Sequence, residues 1–250
     1  MTGGTLIGVA AIGLAVGFLA GLFGKGGSAI ATPLLHAVGI PAIVAVAAPL
    51  PATIPSTVVA SAAYWKAKLL DREVLTWSIA VGVPATIAGA VATRWISGAI
   101  LVTITDVVVA GLGIRFLLFP GDAETPDTRP SAYRVRLVAV AAVTGVASGL
   151  LANSGGFLLA PLYVAVLRRP LKTAFACSLA VAAVLAVPGT IVHAALGHID
   201  WTVVAVFGAC SVPFSYIGAR VALRANAARL ERIYGAVLAT LGIGFLLYGR

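Results

Sequence analysis

Two glycine clusters, each set inside sequence apolar enough for lipid, constrain this chain more than any other feature. The first is Gly21-Leu-Phe-Gly-Lys-Gly-Gly-Ser-Ala-Ile-Ala-Thr-Pro33; the second, 128 residues later, is Gly149-Leu-Leu-Ala-Asn-Ser-Gly-Gly-Phe-Leu-Leu-Ala-Pro161. Glycine at this density stops a helix. The chain then restarts as a new helix whose first amides have no intrahelical partner. Those donors, with the positive end of the helix dipole, form a place for an anion.

The setting of the clusters follows from composition. Of 250 residues, 60% are hydrophobic and 10% charged, and mean hydropathy is +1.06. Soluble domains carry roughly a quarter of charged residues, and apolar runs of about 20 residues span a bilayer as helices. The runs are continuous, which excludes the alternating pattern of a β-barrel. No Lys or Arg precedes the first run, at residues 5–23, and that run is of full span length, so a cleaved leader is not expected. Gly13, Gly17 and Gly21 give it a close-packing face at four-residue spacing. Pro49, Pro51 and Pro55 fall inside the run 41–65 and are expected to disrupt its helical hydrogen bonds.

The second half repeats the first. Gly17 matches Gly145, Gly21 matches Gly149, Gly27 matches Gly155 and Pro33 matches Pro161 at an offset of 128. Asp71 matches Asp200, Pro84 matches Pro213 and Gly89 matches Gly218 at 129. The polar stretch 120–133 is the linker, giving a first membrane repeat at 1–119 and a second at 134–250. If the pieces flanking each break form a hairpin, each half counts five crossings. Fourteen Lys and Arg then fall on one side against Arg94 and Arg250 on the other, as the positive-inside rule requires. An odd number of crossings inverts the repeats, a plan of secondary transporters. The expectation is an all-α polytopic membrane protein. It has two inverted repeats of about five segments, each with a glycine-broken hairpin or half-helix. The net charge of +9 is explained by these loops, without nucleic acid. Localisation follows as the cytoplasmic membrane, with both termini outside the cytoplasm.

The candidate substrate-binding residues are Lys25, Gly26, Gly27 and Ser28 in the first break and Asn153, Ser154, Gly155 and Gly156 in the second. An ammonium inside a membrane segment is expensive and points to function; the position of Lys25 is held by neutral Asn153 in the second half. Ser178, with Cys177, Thr53 and Ser56, is a weaker candidate for the cavity lining, since Ser and Thr in membrane helices often bond their own backbone. Cys177 and Cys210 read as small core hydrophobes. Asp106 is a candidate for proton or sodium coupling, or for pairing with Arg94. His36, His193 and His198 sit at span ends and read as interfacial. Asp71 and Asp200 read as helix N-caps, each ahead of an interfacial Trp. No metal-ligand spacing occurs, and no cofactor is expected. The partners expected are a small anion and the lipid bilayer, with a second copy of the chain as a further candidate.

The pattern Gly-x-x-Gly-x-Gly-Gly-(Gly/Ser) followed by Pro-Leu, on Gly21, Gly24, Gly26, Gly27, Ser28, Pro33 and Leu34, resembles the TauE/SafE (sulfite exporter, TSUP) family. Gly149, Gly155, Gly156, Pro161 and Leu162 carry it in the second half, and Gly197-His198-Ile199-Asp200 resembles a loop feature of the family. The chain departs from the pattern at Lys25 and at Pro49-Leu50-Pro51. The resemblance implies transport of small organosulfur, sulfur-oxyanion or carboxylate substrates such as sulfite, sulfonates or thiosulfate. Two other readings compete. Ser154 with His193 would suit an intramembrane serine protease, though the duplication of the break argues for transport. An ion channel ranks last, because no ring of carboxylates or run of filter carbonyls is present.

Overall fold

The computed structural model describes residues 3–24, 30–97, 131–150 and 156–248, with isolated positions between 100 and 118. Its helices are α1 (Gly3–Leu22), α2 (Ala31–Ala37), α3 (Ala42–Ala47), α4 (Pro49–Lys66), α5 (Arg72–Ala92), α6 (Tyr133–Leu150), α7 (Gly156–Ala165), α8 (Leu171–Ala195), α9 (Trp201–Arg224) and α10 (Ala227–Tyr248). Among the described residues six stretches are long and apolar enough to cross a membrane: Gly3–Leu22, Ala42–Lys66, Arg72–Trp95, Tyr133–Leu150, Leu171–Ala195 and Trp201–Arg224. Large apolar side chains such as Ile7, Val58, Val143 and Ile191 stand exposed along them, as on a surface that faces lipid. Trp65, Trp95 and Trp201 are among the most exposed.

α2 has 7 residues and α7 has 10, about 10 and 15 Å of helix. Each is therefore a half-helix. α1 and α2 form a hairpin with the break at its tip, since a Cβ on Gly8 near the start of α1 would touch Val38 just past the end of α2 at 3.3 Å.

The prolines disturb the third run less than expected. Pro49 and Pro51 fall in the first turn of α4, where an amide has no helical acceptor to lose. The interruption is confined to the joint between α3 and α4 at Ala48, and the helix continues through Pro55. Asp71 and Asp200 cap α5 and α9 as the sequence suggests. The Asp71 carboxylate accepts from the amides of Glu73 and Val74 at 2.9 and 3.2 Å, and that of Asp200 from Thr202 and Val203 at 2.8 and 3.2 Å.

Packing runs in one continuous order: α1 on α9, α9 on α4, α4 on α8, α8 on α5, and α5 on α6. The order reads the same from either end once α1 is exchanged with α6, α9 with α5 and α4 with α8. Those are the exchanges that the sequence offsets of 128 and 129 make.

The outer seams show why the glycines recur. A Cβ on Gly13, Gly17 or Gly21 of α1 would run into the α9 backbone at Phe207, Ser211 and Ser215 in turn. A Cβ on Gly145 or Gly149 of α6 would run into the α5 backbone at Gly82 and Thr86. Each seam is made from both sides, by Gly218 against Phe18 and by Gly89 against Val146. Without side chains between them the backbones approach closely, which is how helices associate in lipid. The residue numbers rise together across each seam, so α1 runs parallel to α9 and α6 parallel to α5.

The two halves also agree in their turns. Val38 N–H bonds to Leu34 O and Val166 N–H to Leu162 O, an offset of 128; Ile40 N–H bonds to Leu35 O and Arg169 N–H to Tyr163 O, where the donors differ by 129. The inserted residue therefore lies in the turn before Pro41 and Pro170. From there on Ser178 pairs with Pro49, not with Leu50 as the uncorrected offset of 128 gives.

Alanine at Gly149 is expected to cost about 1–3 kcal/mol, the usual penalty for overpacking, and to lower the thermal midpoint of the purified protein. Alanine at Gly4, where a Cβ meets nothing within 4 Å, leaves the midpoint unchanged.

Candidate functional site

The site is built on the carbonyls that end α1 and α6. A helix that stops inside a bilayer leaves its last C=O groups without amide partners, and hydrocarbon offers no water to replace them. In the first half the Tyr64 hydroxyl, from the last turn of α4, donates to Gly21 O at 3.4 Å. In the second half His193, from the last turn of α8, places Nε2 at 3.1 Å from Gly149 O. Tyr64 and His193 are repeat counterparts, as are Gly21 and Gly149. Both side chains are fully buried, so His193 is not the interfacial residue its place near a span end suggests.

Three residues beyond Gly21 the chain turns left-handed at Gly24, with φ +60°. A Cβ there would collide with Phe175 of α8. The Gly24 carbonyl accepts from the Ser178 hydroxyl at 2.5 Å, and that hydroxyl also lies 2.9 Å from Phe175 O. Ser178 thus reaches the first break from the opposite half of the chain. Phe23, Ile30 and Ala31, which border the first break, share one buried cluster with Ala160 of α7, and Leu150 and Leu158 pack against that cluster. The borders of both breaks thus belong to one continuous buried core, the first reached by Ser178 near the start of α8 and the second by His193 near its end. α2 opens at Ile30 with no side-chain cap for its first amides.

Two further hydroxyls were not singled out from the sequence. The oxygens of Ser61 and Thr190 are buried, and neither has a hydrogen-bond partner among the described residues. They are counterparts at the offset of 129, and each sits three residues before the side chain that holds a break carbonyl. A buried hydroxyl left unbonded costs about 1–3 kcal/mol. Ser61 and Thr190 thus leave unbonded hydroxyls at equivalent positions of α4 and α8. The only sequence signal was the match of Ser61 with Thr190 itself.

The remaining candidates divide clearly. Lys25, Gly26, Gly27, Ser28, Asn153, Ser154, Gly155 and Asp106 lie outside the described residues; Gly156 is the first residue of α7. Thr53 and Ser56 bond back to Pro49 O and Ala52 O at 3.0 and 2.6 Å, within their own helix. Cys177 is buried and accepts from the Asp71 amide at 3.3 Å. Both cysteines are free. Both ring nitrogens of His193 are engaged, one by Gly149 O and one by His198 at 3.1 Å, so the ring is not set up to activate a serine.

At one end of the bundle Asp71 also pairs with Arg169, a contact that sequence reasoning missed. The guanidinium is 3% exposed and lies 5.4 Å from the Tyr133 ring centroid, within reach of a cation–π contact. Nearby, Arg134 pairs with Glu73 at 3.2 Å, and Lys172 Nζ donates to Leu223 O at 3.0 Å. The α4–α5 loop, the α7–α8 loop, the start of α6 and the end of α9 are thereby gathered at one face.

The family model described as "Sulfite exporter TauE/SafE" matches residues 9–245. The chain belongs to this family. Two curated relatives from Xylella fastidiosa, both named "Probable membrane transporter protein", align along nearly the full length. That of strain 9a5c is 30% identical over 239 residues, covering 91% of this chain and 90% of the relative. That of strain Temecula1 is 28% identical over 235 residues, with 91% and 90% covered. No solved structure matches the chain.

In this TauE/SafE protein Asp71→Asn keeps the N-cap but takes the carboxylate partner away from the buried Arg169 guanidinium. It is expected to cost about 3 kcal/mol or more in thermal or denaturant unfolding. Adding Arg169→Leu recovers most of that loss, because the pair is then removed whole.

Proposed function

We propose that this protein is a secondary transporter that moves a small organosulfur or sulfur oxyanion, of the sulfite, sulfonate or thiosulfate kind, across the cytoplasmic membrane by alternating access. The observation that carries the reading is the recurrence, in both halves, of a helix that stops at a glycine whose carbonyl is taken by a buried side chain, Gly21 by Tyr64 and Gly149 by His193. The anion sits between the breaks, held by amides of Gly26, Gly27, Ser28, Ser154, Gly155 and Gly156 and by Lys25 and Asn153. Family membership and the names of the relatives support transport over the protease alternative.

Helix directions support an inverted repeat. α4 runs parallel to α9, since Ala52 lies against Gly208 and Ser56 O accepts from Ser215 at 2.8 Å. α8 runs parallel to α5, through Leu185 against Gly82 and Gly189 against Thr86. The α4–α5 and α8–α9 connections are short turns that reverse direction. Hence α1, α4 and α9 run one way, while α5, α6 and α8, their counterparts in the other half, run the opposite way. On this plan the segments number ten: the six spans, the half-helices α2 and α7, α10, and the apolar stretch 99–119. The face that gathers Lys66, Lys68, Arg72, Arg134, Arg168 and Arg169 is cytoplasmic by the positive-inside rule, and both termini lie outside. Two units of five segments, 1–119 and 134–250 joined by 120–133, then rock about the central α4–α8 contact.

Purified protein is expected to gain thermal stability with sulfite, methanesulfonate or thiosulfate, and reconstituted protein to move at least one of them. Lys25→Ala weakens binding by tenfold or more, about 1.4 kcal/mol, with the fold intact by circular dichroism. If no anion of the panel stabilises the protein or enters vesicles, the transport reading fails.

A further inference from the structure

The hydrogen bond from His193 to Gly149 O fixes more than a helix end. A carbonyl only accepts, so Nε2 of His193 carries a proton, and in the neutral ring Nδ1 is then bare. That bare Nδ1 lies 3.1 Å from Nδ1 of His198, in the loop between α8 and α9. The contact is therefore a hydrogen bond donated by His198 Nδ1–H, and Nε2 of His198 is the open position. The rings are tilted by 48° with centroids 5.3 Å apart, which excludes a face-to-face stack. Both tautomers follow from one backbone carbonyl.

The first half has the same backbone here and none of the chemistry. His198 N–H bonds to His193 O at 3.0 Å, and Leu69 N–H bonds to Tyr64 O at 3.3 Å. Tyr64 and Leu69 thus occupy the places of His193 and His198. One break carbonyl is held by a phenol, the other by the inner member of a histidine pair.

We propose that His198 and His193 form a proton relay that charges the second break. A proton from the outer face binds Nε2 of His198; the Nδ1 proton of His198 passes to Nδ1 of His193; His198 is left neutral with its proton on Nε2. His193 ends as an imidazolium, donating to Gly149 O and carrying one positive charge beside the break. One proton is taken up, and no other bond changes.

Among the described residues, the titratable group that acts on His193 is His198, and α6 presents the Gly149 carbonyl. Asp200, two residues beyond His198, has its carboxylate engaged by the α9 amides. Burial lowers the His198 pKa from the ordinary histidine value. The resting pair is accordingly neutral at pH 7 and takes its proton as the outer face acidifies. Resting on the anion site proposed above, the relay makes anion binding proton-coupled from one side of the membrane only.

Full-length protein labelled with 15N-histidine and held in nanodiscs tests the relay without any anion. His193 is expected to start as the Nε2–H tautomer at pH 8 and to become imidazolium as the pH falls, while His198 stays neutral and changes from the Nδ1–H to the Nε2–H tautomer. A His193 that keeps one neutral tautomer from pH 8 to pH 5 overturns the relay.

Methanesulfonate, whose charge is constant over this range, tests the coupling. In the wild type its apparent affinity rises as pH falls, by up to about tenfold per pH unit, the limit for one proton taken up per anion. In His198→Gln and in His193→Tyr, the latter supplying a hydroxyl donor as the first half does, the rise is lost. Binding that is equal at every pH in the wild type overturns the coupling and leaves the anion site standing. Failure of methanesulfonate, sulfite and thiosulfate to bind at any pH overturns the anion site, and the coupling with it, while the histidine titration still decides the relay.

Discussion

A polar backbone group inside hydrocarbon must find a partner within the protein, and the rest of this structure depends on that constraint. Breaking a helix in lipid exposes carbonyls on one side of the break and amides on the other. The carbonyls of Gly21, Gly24 and Gly149 are met by Tyr64, Ser178 and His193. These donors come from α4 and α8, the long helices at the centre of the packing order. The same helices therefore hold the fold together and fix where the breaks sit. The first amides of α2 have no side-chain cap, and they are among the donors that the proposed anion site would use.

Supporting a break this way requires the supporting helices to be held rigidly, and the glycine seams do so. α1 lies against α9 with its Gly13, Gly17 and Gly21 on bare backbone, and α6 lies against α5 in the same manner. The last glycine of each row, Gly21 or Gly149, is also the residue whose carbonyl is capped. One residue thus serves two needs: close approach on one side and a helix end on the other. A side chain at either position would push apart the helix pair and displace the carbonyl from its donor.

Much of this was legible in the sequence because it is local or periodic. The four-residue glycine spacing named a packing face, and α9 occupies it. Asp71 and Asp200 were readable as caps because capping is a contact two or three residues long. The short apolar piece that follows the glycine break was readable as a half-helix from its length alone. What sequence reasoning missed depends on contacts between residues far apart in the chain. Nothing near Asp71 announces Arg169, nearly a hundred residues away, and a histidine near a span end looks interfacial until α6 is seen to bring Gly149 against it. The single inserted residue illustrates the same limit. The offsets reveal that a residue was added, but the turn hydrogen bonds of Ile40 and Arg169 are needed to place it before Pro41 and Pro170.

The two halves share a backbone plan and differ in chemistry at matched points. Arg169 stands where the first half has Ile40, His193 where it has Tyr64, His198 where it has Leu69, and Asn153 where it has Lys25. Each exchange sets a charged or titratable group against one that is neutral near pH 7. Duplication alone yields a device whose two ends behave alike, and such a device has no preferred direction. An ion pair in the turn before α8 and a histidine pair at its far end break that equivalence while leaving the glycine seams and the caps untouched. Because these exchanges lie on the side chains that meet the breaks or the loops, and not on the seams, the asymmetry acts on the energies of the two ends without costing the fold its symmetry.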